Sequence, residues 1–434
     1  MPDDVPPAPP VHPRLHPRVL PEGARNGRAT PTPPTRTVGR AARQAGLREH
    51  NLSLALRKVL DASAPVSRAG IAAATGLARA TVSGLVDLLI EADLVRELDP
   101  AAAVRAGRPA VPLVPARGTV AGVGMEVNID YIGVRALDIA GRVLVERTEL
   151  GDFRRSDPVA VLDRLARIAD RTIAGLSADG VRIAGTALAL PGLVDRVTGP
   201  LRVAPNLGWR DVDVVGVMTA HPVLAGFPPH LANEANLAAR AEAHARRAGG
   251  PASFVYVSGE VGIGGAIVLD GEIFRGRHGW SGEIGHMVVD PFGARGALRG
   301  TLEDLAGQDA LMAGAGLDLS LHLSHLAAAA AAGDPAALGS LRRGAEALGI
   351  ALANVVSVVD VDEVVLGGTF APLFGFVHAT VTEQLERGVI FAPWAPVRVT
   401  EAIAGEYPAM TGAALAVIET VVADPGAWMP IERI

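Results

Sequence analysis

The spacing of apolar residues changes character once along the 434-residue chain, near Arg117, and that change limits the folds open to it. Between Leu47 and Glu91 the apolar positions recur with a helical period. Beyond Arg117, apolar runs of strand length alternate with helical stretches. A small helical module in front of a larger α/β body follows from this, and at roughly 100–200 residues per domain the length accommodates both. Ahead of the helices, residues 1–42 hold 11 of the 32 prolines and few large apolar side chains. Such a stretch cannot bury enough surface to offset its ordering entropy, so it reads as a disordered Pro- and Arg-rich arm.

In the front module, residues 43–116, Leu52, Leu54, Leu56, Val59 and Leu60 predict a first helix from Leu47 that ends near Ala62. Pro65 and Ser67 open a second over residues 68–75, Gly76 makes a turn, and a third runs over residues 78–91. On the third, Val82, Leu85, Val86 and Leu89 form one apolar stripe at i, i+3, i+4 and i+7. Ala80, Gly84 and Asp87 point the other way, flanked by Arg79, Thr81 and Ser83. Two helices joined through a glycine turn, the second small and polar on its outer face, make a helix-turn-helix. Small residues let a helix approach base edges in a major groove about 12 Å wide, and Arg79, Thr81 and Ser83 supply donors. The plainer alternative is a corner of an ordinary helical bundle.

Residues 95–98 and 110–114 then pair as a wing whose tip carries Arg105-Ala106-Gly107-Arg108-Pro109. An arginine on such an extended tip suits a narrow, A·T-rich minor groove. Arg68, Arg79, Thr81, Ser83, Arg105 and Arg108 are the expected contacts to a double-stranded DNA operator. Charge agrees with this. Residues 1–117 carry 16 Arg+Lys against 10 Asp+Glu, or +6, so the remainder is −12 within the overall −6. A basic front on an acidic body suits a chain that meets a polyanion at one end only, although a basic tail gives the same sum.

The chain has no cysteine, which excludes disulfides, thiolate catalysis and Cys-ligated zinc. No apolar run reaches the roughly 18 residues of a membrane helix, and MPDDVPPAPP lacks the apolar core of a secretory signal. No membrane association and a cytoplasmic location are expected.

In the body, residues 117–434, polar turns rich in amides and carboxylates follow apolar strands in a fixed order. They are Leu190-Pro191-Gly192-Leu193-Val194-Asp195, Pro205-Asn206-Leu207-Gly208-Trp209, Asn233-Glu234-Ala235-Asn236, Gly262-Ile263-Gly264-Gly265 and Gly282-Glu283-Ile284-Gly285-His286. Each alone is an ordinary turn or cap. Together they suit a polyhydroxylated ligand, with Trp209 offering a flat apolar face. No internal repeat is visible in the sequence.

This order of motifs makes residues 47–434 resemble the ROK family of sugar kinases and sugar-responsive transcription factors with an N-terminal winged helix. The resemblance implies a winged helix-turn-helix followed by a two-lobed actin-like, ribonuclease-H-like α/β body with sugar in the interlobe cleft. It places Asn206, Asn233, Glu234, Glu283, His286 and Glu303 on the sugar hydroxyls.

The departures from the kinase pattern inform as much as the matches. Where ROK kinases carry Asp-x-Gly-Gly-Thr for the ATP phosphates, this chain reads Glu126-Val127-Asn128-Ile129-Asp130. Their second phosphate loop, Gly-Thr-Gly, is replaced by Gly259-Glu260-Val261-Gly262. A phosphate cradle needs small residues and donors rather than carboxylates. Gly367-Gly368 on the adenine side survives. The family's catalytic Asp is Glu234 here, and displacing a general base by a bond length can cost about a hundredfold in rate. The three cysteines of the family zinc site correspond to Ala294, Gly296 and Thr301, which leaves His286 without co-ligands apart from nearby Asp290. Neither ATP nor zinc is expected, and no catalytic residue is assigned. The expected protein is a sugar-sensing DNA-binding regulator, a repressor, acting as a homodimer or homotetramer. The alternatives are an active sugar kinase fused to a DNA-binding module, and a regulator answering to a protein partner.

Overall fold

The computed structural model describes residues 40–99, 111–195, 199–259, 261–290 and 300–429. The front module opens with α1 (Arg40–Leu60), α2 (Arg68–Thr75) and α3 (Arg79–Glu91). Helix α1 begins seven residues before Leu47, taking in the end of the segment expected to be disordered. Ala41, Ala42, Arg43, Gln44 and Ala45 are strong helix formers, and the proline content had already ended. Ser67 caps α2, its Oγ accepting from the Gly70 amide at 3.0 Å. Gly76 ends it in the left-handed region at φ 72°, where a side chain would be strained. The axis bends by 119° between α2 and α3, and Val82, Leu85, Val86 and Leu89 are buried as their spacing predicts. Strand β1 (Val95–Glu97) pairs antiparallel with β2 (Leu113–Pro115), forming the base of the wing. Its tip, with Arg105 and Arg108, lies outside the described residues, as does the arm before Arg40.

The first lobe starts as a meander of β3 (Val120–Val127), β4 (Tyr131–Asp138) and β5 (Val143–Leu150), followed by α4 (Pro158–Ala178) and β6 (Arg182–Leu190). A three-stranded sheet comes next, made of β7 (Leu193–Val194), β8 (Leu201–Ala204) and β9 (Trp209–Val212). The short helices α5 (Val214–Thr219) and α6 (Pro222–Ala225), strand β10 (His230–Asn233) and helix α7 (Glu234–Arg246) complete the lobe. The main sheet has the order β10-β6-β3-β4-β5, and β10, β6 and β3 run parallel. Every residue of β3 is buried because helices cover both faces, which is why it reads as a continuous apolar run.

The second lobe holds β11 (Phe254–Gly259), β12 (Ile263–Leu269) and β13 (Glu272–Ile273). Then come α8 (Leu302–Ala306), α9 (Gln308–Gly314), α10 (Ser324–Ala331), α11 (Pro335–Val359), β14 (Glu363–Gly368), α12 (Phe370–Gly388), β15 (Arg398–Glu401) and α13 (Pro408–Ala423). Its sheet order is β13-β12-β11-β14-β15, with β11, β14 and β15 parallel. In each lobe the first strand is central, the next two fold back antiparallel on one side, and the fourth and fifth extend parallel on the other. The body is therefore the same five-stranded unit used twice, the actin-like, ribonuclease-H-like architecture, with no matching repeat in the sequence.

Helix α13 leaves the second lobe and lies on the sheet of the first. A Cβ at Gly124 would stand 2.0 Å from the Met410 carbonyl, and one at Gly412 would stand 1.7 Å from that of Leu237 on α7. Only glycine permits these approaches. Towards its C-terminus the same helix sends Ile418, Val421 and Val422 into one hydrophobic cluster with Leu56, Val86 and Leu89 of the front module. Ser53 Oγ on α1 donates to the Val422 carbonyl at 2.6 Å. The front module and the body thus share a core. No single helix among the described residues is long and apolar enough to cross a membrane.

Candidate functional site

Strands β6 and β10 run parallel and end side by side, at Leu190 and Asn233. The carboxyl ends of parallel strands are where open α/β sheets place ligands. Asn206, Asn233, Glu234, Glu283, His286 and Glu303 all line one small cavity there, of about 100 Å³, together with Ile129, Pro191, Gly192, Pro205 and the loop 261–264. The six residues singled out from the sequence converge, although they span nearly a hundred positions and come from both lobes.

Their roles differ. Asn233 is committed to the backbone: its Oδ1 accepts from the Ala235 and Asn236 amides at 2.9 and 3.2 Å, capping α7. Its Nδ2 donates to the Gly192 carbonyl at 3.0 Å, pinning the Pro-Gly turn. It shapes the wall of the cavity more than it offers free hydrogen-bonding capacity. Glu303 Oε2 accepts from the Ile263 amide at 3.2 Å. A Cβ on Gly262 would sit 2.7 Å from that oxygen and 3.4 Å from Asn206 Nδ2, so the glycine keeps the floor open between the two. Burial pushes the Glu283 carboxyl up in pKa; nearby His286 opposes this and Glu303 adds to it.

The segment expected to lack its metal ligands is tied by hydrogen bonds instead. The Val289 and Leu302 amides donate to Gly300 and Met287 carbonyls at 2.8 Å each, closing the two ends of the loop together. Thr301, at the third cysteine position, caps α8 in a capping box with Asp304 and so presents Glu303. Among the described residues no three His, Asp or Glu side chains gather as a metal would require; Ala294 and Gly296 lie outside them.

One expectation needs correction. Trp209 is not a platform for a ligand: it is 2% exposed, and its indole donates to Ser156 O at 3.0 Å from within the first-lobe core. Ring size alone could not separate a stacking face from a core filler. Arg68 is paired within the helix-turn-helix. Its guanidinium bonds Asp87 of α3 at 2.7 Å and Glu97 of β1, joining three elements. Arg79, Ala80, Thr81 and Gly84 are exposed on the outer face of α3, and Ser83 is half-buried.

At the place of the kinase phosphate loop, the turn between β3 and β4 uses its amides internally. Asn128 N donates to the Tyr131 carbonyl at 2.9 Å and Ile129 N to Asn128 Oδ1 at 2.6 Å. Glu126 is buried beneath it and its pKa is pushed up to about 7 by that burial. Gly367 and Gly368 are explained by packing: a Cβ on either would strike Tyr256 Oη or the Gly259 carbonyl. Glu260 lies outside the described residues.

A family model described as the ROK family matches residues 157–420. The xylose repressor of Bacillus subtilis (strain 168) is 28% identical over 328 residues, covering 75% of this chain and 83% of that protein. Among solved structures, a ROK family transcriptional regulator described as a homolog of the E. coli MLC protein superposes with a TM-score of 0.72 at 25% identity. That match covers 87% of this chain and 97% of the other. A ROK hexokinase from Thermus thermophilus matches at TM-score 0.56 and 29% identity, with 69% of this chain covered. The regulator spans far more of this chain than the hexokinase does. With two five-stranded lobes, the ordered set of turns and the converging carboxylates and amides, the chain belongs to the ROK family.

Proposed function

We propose that the protein is a DNA-binding transcriptional repressor whose interlobe cavity binds a neutral sugar, and that sugar binding alters affinity for its operator. The observation that carries this is the convergence of Glu234, Glu283, Glu303, Asn206 and His286 on one cavity, with no Arg or Lys in its lining among the described residues. Three carboxylates are acceptors for hydroxyl donors, and they repel a phosphate. A free monosaccharide therefore fits better than a sugar phosphate. Of the relatives, one is named a xylose repressor and another a DNA-binding transcriptional repressor. The test is to select duplexes from a random-sequence pool with the full chain, then titrate neutral and phosphorylated monosaccharides into the complex. A neutral sugar should shift DNA affinity by at least about fivefold, and Glu303→Gln should remove the shift. Indifference to every sugar would overturn the sensor half.

The body has no catalytic role in this reading. Asn128 and Ile129 stand where the two kinase glycines would face a triphosphate, and their amides are already bonded within the β3–β4 turn. Tight Mg–ATP binding by calorimetry would favour the kinase alternative instead. A homodimer fits the reading because paired recognition helices match a palindromic site. Val358, Ile390 and Trp394, each more than four-fifths exposed, supply apolar surface for a second copy. Sedimentation of the full chain tests this.

A further inference from the structure

The walls of the sugar cavity belong to different lobes, and a side chain outside the cavity ties two of them together. In the first lobe the Pro191-Gly192 turn runs directly into β7. That turn is fixed: Asn233 Nδ2 donates to the Gly192 carbonyl, and a Cβ on Gly192 would stand 2.1 Å from the Val203 carbonyl of β8. In the second lobe Glu283 and His286 follow Gly282, which is seated on β12. A Cβ on Gly282 would stand 2.2 Å from the Gly265 carbonyl, so this segment keeps its place only with glycine there. Between the two walls stands Trp280. Its indole Nε1 donates to the Val194 carbonyl at 3.2 Å. Val194 lies two residues beyond Gly192 and Trp280 three before Glu283, so this bond crosses from lobe to lobe beside the cavity.

Core packing does not account for the residue. Trp209 and Trp428 pack in hydrophobic clusters, whereas among the described residues Trp280 joins none and is 37% exposed. Its ring is held instead by stacking on His278, with centroids 4.8 Å apart and planes 25° from parallel. The loop carrying both closes on itself, the Ser281 amide donating to the Arg275 carbonyl at 3.4 Å. Trp280 does not line the sugar cavity. We infer that Trp280 is a positioning residue for that cavity: its bond to Val194 holds the Pro191-Gly192 wall and the Glu283 wall at the separation at which one sugar meets both. This rests on the sugar-binding reading given above. When fewer molecules hold the binding-competent arrangement, apparent affinity falls by the same fraction. The net worth of one hydrogen bond corresponds to about three- to tenfold.

The variant Trp280→Phe keeps an aromatic ring and removes the donor. With the full chain, calorimetry uses D-xylose, D-glucose, D-mannose and D-galactose as probes. For each sugar that wild type binds, the dissociation constant should rise about three- to tenfold in Trp280→Phe, through faster dissociation read by stopped flow. DNA affinity without sugar and the sugar-free melting temperature should stay near wild type, which also reports that the variant is folded. His278→Ala, which removes the stacked ring and leaves the donor, should shift the constant in the same direction by less. Unchanged sugar affinity in Trp280→Phe, with or without a lower melting temperature, would make the bond merely structural and overturn the inference while leaving the sugar reading intact. If wild type binds none of the probes, the sugar reading fails and takes the role of Trp280 with it.

Discussion

Glu126 illustrates how far a single residue can be read from sequence and where that reading stops. It opens the segment in which the glycines of a phosphate cradle are replaced, but its burial and its bond from Asn128 Nδ2 at 3.3 Å appear only in three dimensions. With a folded pKa raised from 4.5 to about 7 by desolvation, the fold favours the neutral acid. That preference is fully present below pH 4.5 and is lost as pH rises through 7, since ionisation then works against burial. Melting temperature should therefore fall between pH 5 and pH 8 in wild type. The slope should be flatter in Glu126→Gln, the difference corresponding to stability on the order of 3 kcal/mol; parallel curves would refute it. Arg68 gives a second prediction. Because it neutralises Asp87 beside the outer face of α3, Arg68→Ala should weaken all duplexes alike. Arg79→Ala should change base preference instead, by about 1–3 kcal/mol at one position. Selection of bound sequences by each variant tells the two apart. The sequence showed which residue types gather at the cavity but not their duties. Asn233 caps a helix because the cap position and the cavity wall coincide, and no motif distinguishes the two.

Helices and strands were legible wherever one face is buried, because burial imposes the period. Helix α2 and the stripe on α3 match their predicted positions for that reason. Pairing was not legible, since strand partners lie far apart in sequence. The duplicated sheet order is a property of hydrogen-bond connectivity, which divergent apolar sequences satisfy equally well. The contact of α13 with the first lobe was also hidden, although glycines at 122, 124 and 412 mark it once the helix is seen on β3 and α7. Those approaches leave no room for a methyl group. Gly412→Ala should force α13 from α7 and lower stability by about 1–3 kcal/mol or more, read as a lower melting temperature. Gly375→Ala, in open space on α12, should be neutral or slightly stabilising. Equal melting temperatures for the two variants would contradict the packing.

At the scale of the whole molecule, two helices stand between the sugar cavity and the helix-turn-helix. Helix α7 begins at the cavity wall, and α13 packs on α7 and on the core of the front module. A signal from the cleft to DNA therefore has a short physical route: α7 to α13 through Arg240–Glu419, then α13 to α1 through the shared cluster and the Ser53–Val422 bond. Arg182 reinforces this junction by donating to the carbonyls of Ala92 and Trp428. Coupling between two binding events is reciprocal: the factor by which sugar changes DNA affinity must equal the factor by which DNA changes sugar affinity. Spatial intermediacy alone does not establish a route, so the test must measure coupling rather than affinity. Ser53→Ala removes the bond to Val422 without touching either ligand. Val421→Ala shaves the shared core at a fully buried position, costing about 0.5–3 kcal/mol of stability. Both variants should bind sugar alone and DNA alone within about threefold of wild type, yet show a coupling factor reduced by several-fold in both directions of the cycle. If the factor is unchanged in both while melting temperatures fall, α13 supports the structure without relaying the signal, and the route must run through contacts that bypass this helix.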